Sequence, residues 1–422
     1  MRPLSAIPAL VTAILLAGGG IVPTVKAQAP AEVAALAGDP AVKVALDHAQ
    51  RSEAETIADQ VRFCEAPAPP FQESARGRLL QEAFTRAGLE GVRVDEVGNV
   101  VGERRGSAPR PHVMVAAHLD TVFPPDTNVK VTRQGPVLRG PGISDNCRGL
   151  AVLVAVARAL VAGRVRTPGS VTFVANVGEE GLGDLRGVKA LFRRPTVPID
   201  RFVSIDGGGH HITNVAVGSH RYRVAFKGPG GHSYGAFGLA NPIGALGRAV
   251  GRISDIQVPT HPRTTFTIGR VGGGTSVNSI PFEAWFEVDL RSSDAAALSA
   301  LDAKFQAAVD EALAEENRRW EHPGMLTATK ELVGNRPAGE TPGSSPIVRT
   351  AQAAGRALGL SLALGEGSTD ANLPISLKIP AITIGGGGRG ANAHALDESF
   401  DTTDSWKGTQ NAVLVTIALA RN

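Results

Sequence analysis

The run Val113-Met114-Val115-Ala116-Ala117-His118-Leu119-Asp120 constrains the fold of this chain more than any other stretch. Five apolar residues after a Pro/Arg turn read as a strand buried on both faces, the habit of a parallel sheet. In open α/β sheets, chemistry gathers at the carboxyl ends of the strands. His118 and Asp120 stand at that end, and residues two apart in a strand point to the same side. One ring nitrogen of His118 can then face a metal ion while the other donates to Asp120, which fixes tautomer and ring orientation. Taken alone, such a pair is more often a satisfied histidine in a strand-to-loop turn.

The pattern recurs. Residues 171–177 form a second apolar run that ends at Gly178-Glu179-Glu180-Gly181, and residues 201–205 a third that ends at Asp206-Gly207-Gly208-Gly209. An acidic residue after a strand can merely cap the next helix. Three such loops meeting at one sheet edge are a different matter. The glycine-bearing loop 140–149 carries Asp145 and feeds a nearly all-apolar segment, 150–160, which reads as a helix buried on most sides. The 50 glycines of the chain suit tight turns between strands and helices.

At 422 residues the chain is long for one core, and two domains are expected. Composition shifts at His220. From there a strand (221–226), a helix (238–253), two strands (264–271 and 284–290), a long amphipathic helix (294–320) and a strand (326–332) follow. That order is a ferredoxin-like split βαβ, and it predicts an inserted α+β domain over 220–336. Residues 28–219 and 337–422 would form one α/β domain around it, a mostly parallel central sheet flanked by helices. Helical spacing runs over 31–62 with a break at Gly38-Asp39-Pro40, then over 73–87, 347–358 and 408–420. Further strands are expected at 92–94, 100–101 and 381–384, the last followed by the glycine loop 385–388.

Residues 1–27 read as a secretory signal. Arg2 supplies the positive end, residues 7–16 the apolar stretch, and Val25 and Ala27 a small-residue cleavage site before Gln28. The apolar part is too short, and too broken by Gly18-Gly19-Gly20, for a stable membrane span. A secreted or periplasmic enzyme is expected. The net charge of +3 is interspersed, with no basic run interleaved with aromatics, so no nucleic-acid partner is indicated. Cys64 and Cys147 are the two cysteines, and free buried thiols are favoured over a disulfide. His48, His112, His261 and His322 read as surface histidines, and His210 and His211 as solvated loop residues close to Asp206.

His118, Asp145, Glu180, Asp206 and His394 have the chemistry and the number for a dinuclear site. One carboxylate bridges two ions, and each ion takes a further histidine and carboxylate. Ions about 3.5–4 Å apart can share a water and polarise a carbonyl. Imidazole with carboxylate suits Zn2+, with Co2+ or Mn2+ as alternatives. Glu179 and Glu180 are adjacent in a turn and face different ways, so one can bind metal while the other serves as general base toward the water.

These segments resemble the co-catalytic zinc hydrolase family of aminoacylase, glutamate carboxypeptidase, acetylornithine deacetylase and the peptidase T-like aminopeptidases. Ala117-His118-Leu119-Asp120-Thr121-Val122, Gly142-Ile143-Ser144-Asp145-Asn146, Gly178-Glu179-Glu180-Gly181, Ser204-Ile205-Asp206-Gly207, Gly230-Gly231-His232-Ser233, Gly273 to Pro281 and Asn392-Ala393-His394 carry the likeness in the family's order. The resemblance implies two Zn2+ per subunit. His118 and Asp206 would hold one ion, Glu180 and His394 the other, and Asp145 would bridge them. Asp120 would orient His118, and Glu179 would be the base. It implies a cis peptide at Asp145-Asn146. It also implies that His232, on the inserted lid domain, stabilises the oxyanion, in a partner subunit of a homodimer or within one chain. Asn278 and Arg291 would bind substrate, Arg291 through a carboxylate, and the amides of Gly386 and Gly387 could meet that carboxylate.

The expected activity is hydrolysis of an amide bond in a small peptide, by an aminopeptidase or other peptidase. The alternatives are an N-acyl amino acid deacylase or a glutamate-type carboxypeptidase, and a metal-free binding protein on the same scaffold.

Overall fold

A computed structural model describes residues 30–193, 198–320 and 325–421. The expected signal segment and His322 lie outside them.

The larger domain is built on one sheet. Its strands are β1 (Glu90–Val94), β2 (Val100–Arg104), β3 (His112–His118), β4 (Ser170–Asn176), β5 (Arg201–Ile205), β6 (His211–Ala216), β7 (Gly339–Glu340), β8 (Ala363–Gly367) and β9 (Ala381–Ile384). They lie in the order β1-β2-β4-β3-β5-β9-β6-β7, with β8 also paired to β6. The four central strands β4, β3, β5 and β9 are mutually parallel. The β1, β2 and β4 pairings are antiparallel.

β3 is buried at every position. Its alternate residues feed two cores, as a two-sided strand must. Val113, Val115 and Ala117 join the large cluster under the helices Pro40–Arg51, Cys147–Ala162, Pro346–Ala357 and Trp406–Arg421. Met114 and Ala116 join the smaller cluster on the opposite face with Val101, Val174 and Phe202. The helix Cys147–Ala162 is buried along nearly its whole length, as its all-apolar sequence requires.

β3 begins one residue earlier than its apolar run, at His112. This histidine is therefore not on the surface. It pairs with Ser170 in the ladder, and its Nε2 lies 2.7 Å from Thr172 Oγ1 inside the fold. β6 and β8 were not foreseen. β8, Ala-Leu-Gly-Glu-Gly, lacks the β-branched residues that mark strands and is mostly exposed.

The second domain has four antiparallel strands, Gly218–Lys227, Thr264–Gly273, Glu283–Ser292 and Thr327–Arg336, ordered second-third-first-fourth. That is the ferredoxin-like arrangement. Helices Pro242–Ser254 and Ala295–Arg319 cover one face, closing a core around Val224, Phe226, Phe286, Leu290 and Phe305. Asp294 caps the longer helix by accepting from the Ala297 amide at 2.8 Å.

A small four-stranded sheet made of loop segments matters most for the site. Thr132–Gln134, Val137–Arg139, Ser399–Asp401 and Arg389–Ala391 pair in that order. Val137–Arg139 leads directly into the loop bearing Asp145. Arg389–Ala391 and Ser399–Asp401 flank His394. This sheet therefore docks the far C-terminal histidine beside a loop some 250 positions earlier in the chain, as the backbone bond from Gly140 N to Glu398 O shows.

Candidate metal and catalytic site

Because the central strands are parallel, His118, the turn after β4 and the turn after β5 all emerge at one edge of the sheet. The loop before helix Cys147–Ala162 crosses that edge. Asn146 fixes it there. Its Nδ2 donates to Ile205 O at 2.9 Å, and its Oδ1 accepts from the amides of Gly149 (3.0 Å) and Gly207 (3.1 Å). The helix start lies so near the end of β5 that a Cβ on Gly149 would overlap Asn146 Oδ1 and the Ile205 carbonyl. Glu398, fully buried, holds the other side of the loop. Its carboxylate accepts from the amides of Gly142 (3.1 Å), Ser144 (2.8 Å) and Asp145 (2.8 Å). The Asp145-Asn146 peptide is cis.

His118, Asp145 and Glu180 each place one ligand atom within 4.8 Å of the others. His118 Nε2 lies 3.1 Å from Asp145 Oδ1 and 3.6 Å from Asp206 Oδ1. His394 Nε2 lies 2.9 Å from Glu180 Oε1 and 3.2 Å from Asp145 Oδ2. Asp145 thus stands between the two histidines, with one oxygen toward each.

The tautomer of His118 follows from its other nitrogen. Nδ1 is 3.0 Å from the Asp120 carbonyl oxygen, which can only accept, so Nδ1 carries a proton. Nε2 of the neutral ring then turns a lone pair on carboxylate oxygens. Among the described residues, no donor of good geometry reaches Asp145 Oδ1, although Nε2 is near it. Facing lone pairs this close require a cation between them, either a second proton or a metal ion. Burial pulls the His118 imidazole down, but Asp145 and Asp206 outweigh it and hold it well above the ordinary histidine range. Hydrogen bonds donated to the Asp145 and Glu180 carboxylates push His394 up to about 10. Burial pushes Glu180 up to about 7 and Asp120 up to about 6, and raises Asp206. Such a crowd of buried acids around two imidazole nitrogens fits divalent ions in chemistry and in charge.

Asp120 acts on His118 through its backbone, not chiefly through its carboxylate. The carboxylate oxygen is 3.8 Å from Nδ1. Instead it accepts from the amides of Glu179 (2.9 Å) and Glu180 (2.7 Å) and so ties β3 to the Glu-Glu turn. The strand ends at His118, so the alternation that would put residues 118 and 120 on one face does not continue through Asp120.

Residues 114–418 match the model of peptidase family M20/M25/M40. The chain belongs to this family. It is a hydrolase acting on amide bonds, in a family with dinuclear metal-binding members. A succinyl-diaminopimelate desuccinylase from Nitrosospira multiformis is 29% identical over 289 residues, 62% of this chain and 73% of that protein. The di-peptidase Dug1p from Saccharomyces cerevisiae superposes with a TM-score of 0.71 at 14% identity, covering 90% of this chain and 98% of that one. The Bacillus subtilis protein YXEP, described as a dinuclear metal binding peptidase of the M20 family, gives 0.63 at 17% identity, covering 87% and 98%.

The remaining expected residues of this M20 hydrolase are placed differently. His232 and Asn278 sit together on the lid, where the Ser233 amide donates to Asn278 O at 3.0 Å. His232 Nδ1 accepts from the amides of Tyr234 and Gly235, both at 3.2 Å, so Nε2 carries the ring proton and is a donor. Among the described residues, no hydrogen bond joins this pair to the acidic cluster. Arg291 is held in its lid strand by Asp289 at 2.7 Å. The glycine loop does not offer the expected amides. Gly386 N donates to Gly207 O and Gly387 N to Gly209 O, both at 2.9 Å, because β9 continues its pairing past Ile384. His211 is half-buried at the start of β6, not a solvated loop residue. Cys64 and Cys147 are free buried thiols.

Three residues of the site were missed. Glu398 and Asp370 lie in segments without apolar periodicity. Asp370, fully buried, accepts from Asn176 Nδ2 at 2.9 Å through each oxygen. Arg336 is the third, and donates to Glu179 Oε1 at 2.8 Å. It ends a lid strand, where a basic residue reads as solvated.

Proposed function

We propose that this chain is an exported dinuclear zinc hydrolase that cleaves an amide bond of small peptides. The observation that supports it most is the pair of imidazole nitrogens directed at Asp145 from opposite sides, with Glu180 and Asp206 completing the set. His118 and Asp206 would hold one ion, Glu180 and His394 the other, and Asp145 would bridge. Divalent ions bound there supply charge that polarises a scissile carbonyl and acidifies water. Glu179, buried next to Glu180 but not bonded to either histidine, takes a proton from the attacking water and returns it to the leaving amine. His232 donates from Nε2 to the developing oxyanion. On its exposed lid tip it would reach the cluster by lid closure or from the second subunit of a homodimer.

A second reading, removal of an acyl group from an N-acyl amino acid, is favoured by the desuccinylase relative. Both use the same donor set. A panel of dipeptides, tripeptides and N-acyl amino acids, assayed with Zn2+, Co2+ and Mn2+, decides between them. Turnover confined to peptides supports the first reading. Turnover confined to N-acyl amino acids replaces it with the second. No turnover, with no metal retained after zinc addition, ends both in favour of a binding protein.

A further inference from the structure

Arg336 is the last residue of the lid strand Thr327–Arg336, and only 3% of it is exposed. Its guanidinium reaches out of the lid into the catalytic domain. There it grips one residue twice, with Nη1 donating to Glu179 Oε1 at 2.8 Å and Nη2 to the Glu179 carbonyl. Nη1 also donates to Ser368 Oγ at 3.1 Å. Backbone and carboxylate of Glu179 are thereby clamped by a single planar group, which fixes the side-chain torsions between them. Oε2 takes none of the arginine's bonds.

The neighbours of Arg336 hold the same turn. The Asn335 amide donates to Asp184 Oδ1 at 2.8 Å, and Lys189 Nζ donates to Asn335 O at 2.9 Å. From the adjacent lid strand, Arg221 donates to the Gly181 carbonyl. The turn 179–184 therefore meets the root of the lid at three residues, Glu179, Gly181 and Asp184, and each of them is held from the first or last strand of that domain. Because the Arg336–Glu179 pair is almost wholly buried, solvent and salt screen it little. Its geometry depends on how the two domains sit together.

We propose that Arg336 is a positioning residue for Glu179, and that through it the base is in place only while the lid is seated on the turn 179–184. This rests on the reading of Glu179 as general base. A lysine cannot replace the clamp, since a single ammonium does not reproduce the planar fork. Misplacing a catalytic group by about 1 Å costs on the order of 100-fold in rate.

The test uses the full-length, metal-loaded protein with whichever substrate the panel identifies. Arg336→Lys and Arg336→Ala should lower kcat by about 10- to 100-fold with KM changed less than about twofold and bound metal unchanged. Added guanidinium should restore part of kcat to Arg336→Ala, a response that a merely structural role would not give. Asp184→Ala, which loosens the same seat without touching Glu179, should lower kcat in the same direction by a smaller factor. A rise in KM at unchanged kcat in Arg336→Lys would make the arginine a substrate-binding group and overturn the proposal. Unimpaired kcat in Arg336→Lys, or failure of guanidinium to rescue a folded, metal-loaded Arg336→Ala, would overturn it too. Glu179→Gln separates the two levels. If that variant turns over normally, the base assignment itself has failed. If it is inactive while Arg336→Lys is normal, only the positioning role has.

Discussion

In the proposed mechanism Glu179 serves the attacking water and His232 the developing oxyanion, and the protein treats the two in opposite ways. Glu179 is 4% exposed, its amide bound by Asp120 and its carboxylate by Arg336. His232 is exposed, and the support for its ring comes from two backbone amides of its own turn. Around it Tyr234 is 89% exposed, Phe237 78% and Val277 fully exposed. On the proposed reading, the difference teaches that the acidic half of the site is preorganised within one chain, while the lid half would have to be assembled by approach. A preorganised half should respond to substitution with changes in metal and chemistry. An assembled half should respond to what is brought near it.

The largest effect is expected from Asp145→Ala. This carboxylate faces both histidines, so its loss should abolish binding of both ions and all turnover, as read by metal analysis after dialysis. One retained ion at full occupancy would refute the bridging position.

Next comes Glu179→Gln. The amide keeps the shape but cannot take a proton. With both metals retained, kcat should fall by about 1,000-fold, within the usual range for a general base. Wild-type turnover in a metal-loaded variant would remove Glu179 from the mechanism.

His232→Ala should cost about 100-fold in kcat, the scale of one lost oxyanion donor, with metal content unchanged. It also sharpens the comparison directly. If the lid tip serves a partner's site, mixing impaired His232→Ala with impaired Glu179→Gln and allowing subunits to exchange should raise activity above that of either variant, because some sites then receive an intact half from each chain. Mixtures no more active than their components would place the approach within one chain.

Metal binding should also release protons. In the metal-free protein His394 is pushed up to about 10, so it is protonated at neutral pH. An ion needs the same lone pair. Affinity should therefore rise with pH through the neutral range, and titration calorimetry in buffers of different ionisation heat should show protons released. Heats independent of buffer would mean that His394 does not ligate.

How much of this was legible in the sequence follows from where each residue lies. The ends of β3, β4 and β5 are readable because buried parallel strands are unbroken apolar runs, and whatever follows them is at the sheet edge. The lid was readable because its strands alternate and its helices are amphipathic. Pairing of Arg389–Ala391 and Ser399–Asp401 with Val137–Arg139 was not, since these short strands have no periodicity and their partners are remote in sequence. Glu398 and Arg336 were hidden for a related reason. A buried charge reads as a surface residue until the group that satisfies it is known, three loop amides for one and Glu179 for the other. The expectation for Gly386 and Gly387 failed on the opposite ground, because local sequence does not reveal which amides a neighbouring strand already occupies.

Asp120 should give the smallest effect and the most discriminating one. If its carboxylate oriented His118, Asp120→Asn would chiefly weaken the ion held by His118 and Asp206. The structure assigns the carboxylate to the amides of Glu179 and Glu180, and the backbone carbonyl to His118. An asparagine keeps the carbonyl and one side-chain oxygen but turns an NH2 toward the second amide, so one donor of the Glu-Glu turn loses its acceptor. The disturbance should fall on Glu180 and on Glu179, not on the histidine. Removing a supporting contact of this kind weakens metal affinity by about 10- to 100-fold. That loss should appear in the step of a two-step zinc titration that fills the Glu180–His394 position, with kcat at saturating metal also reduced through Glu179. A loss confined to the step that fills the His118–Asp206 position, with kcat intact at saturation, would return the orienting role to the carboxylate.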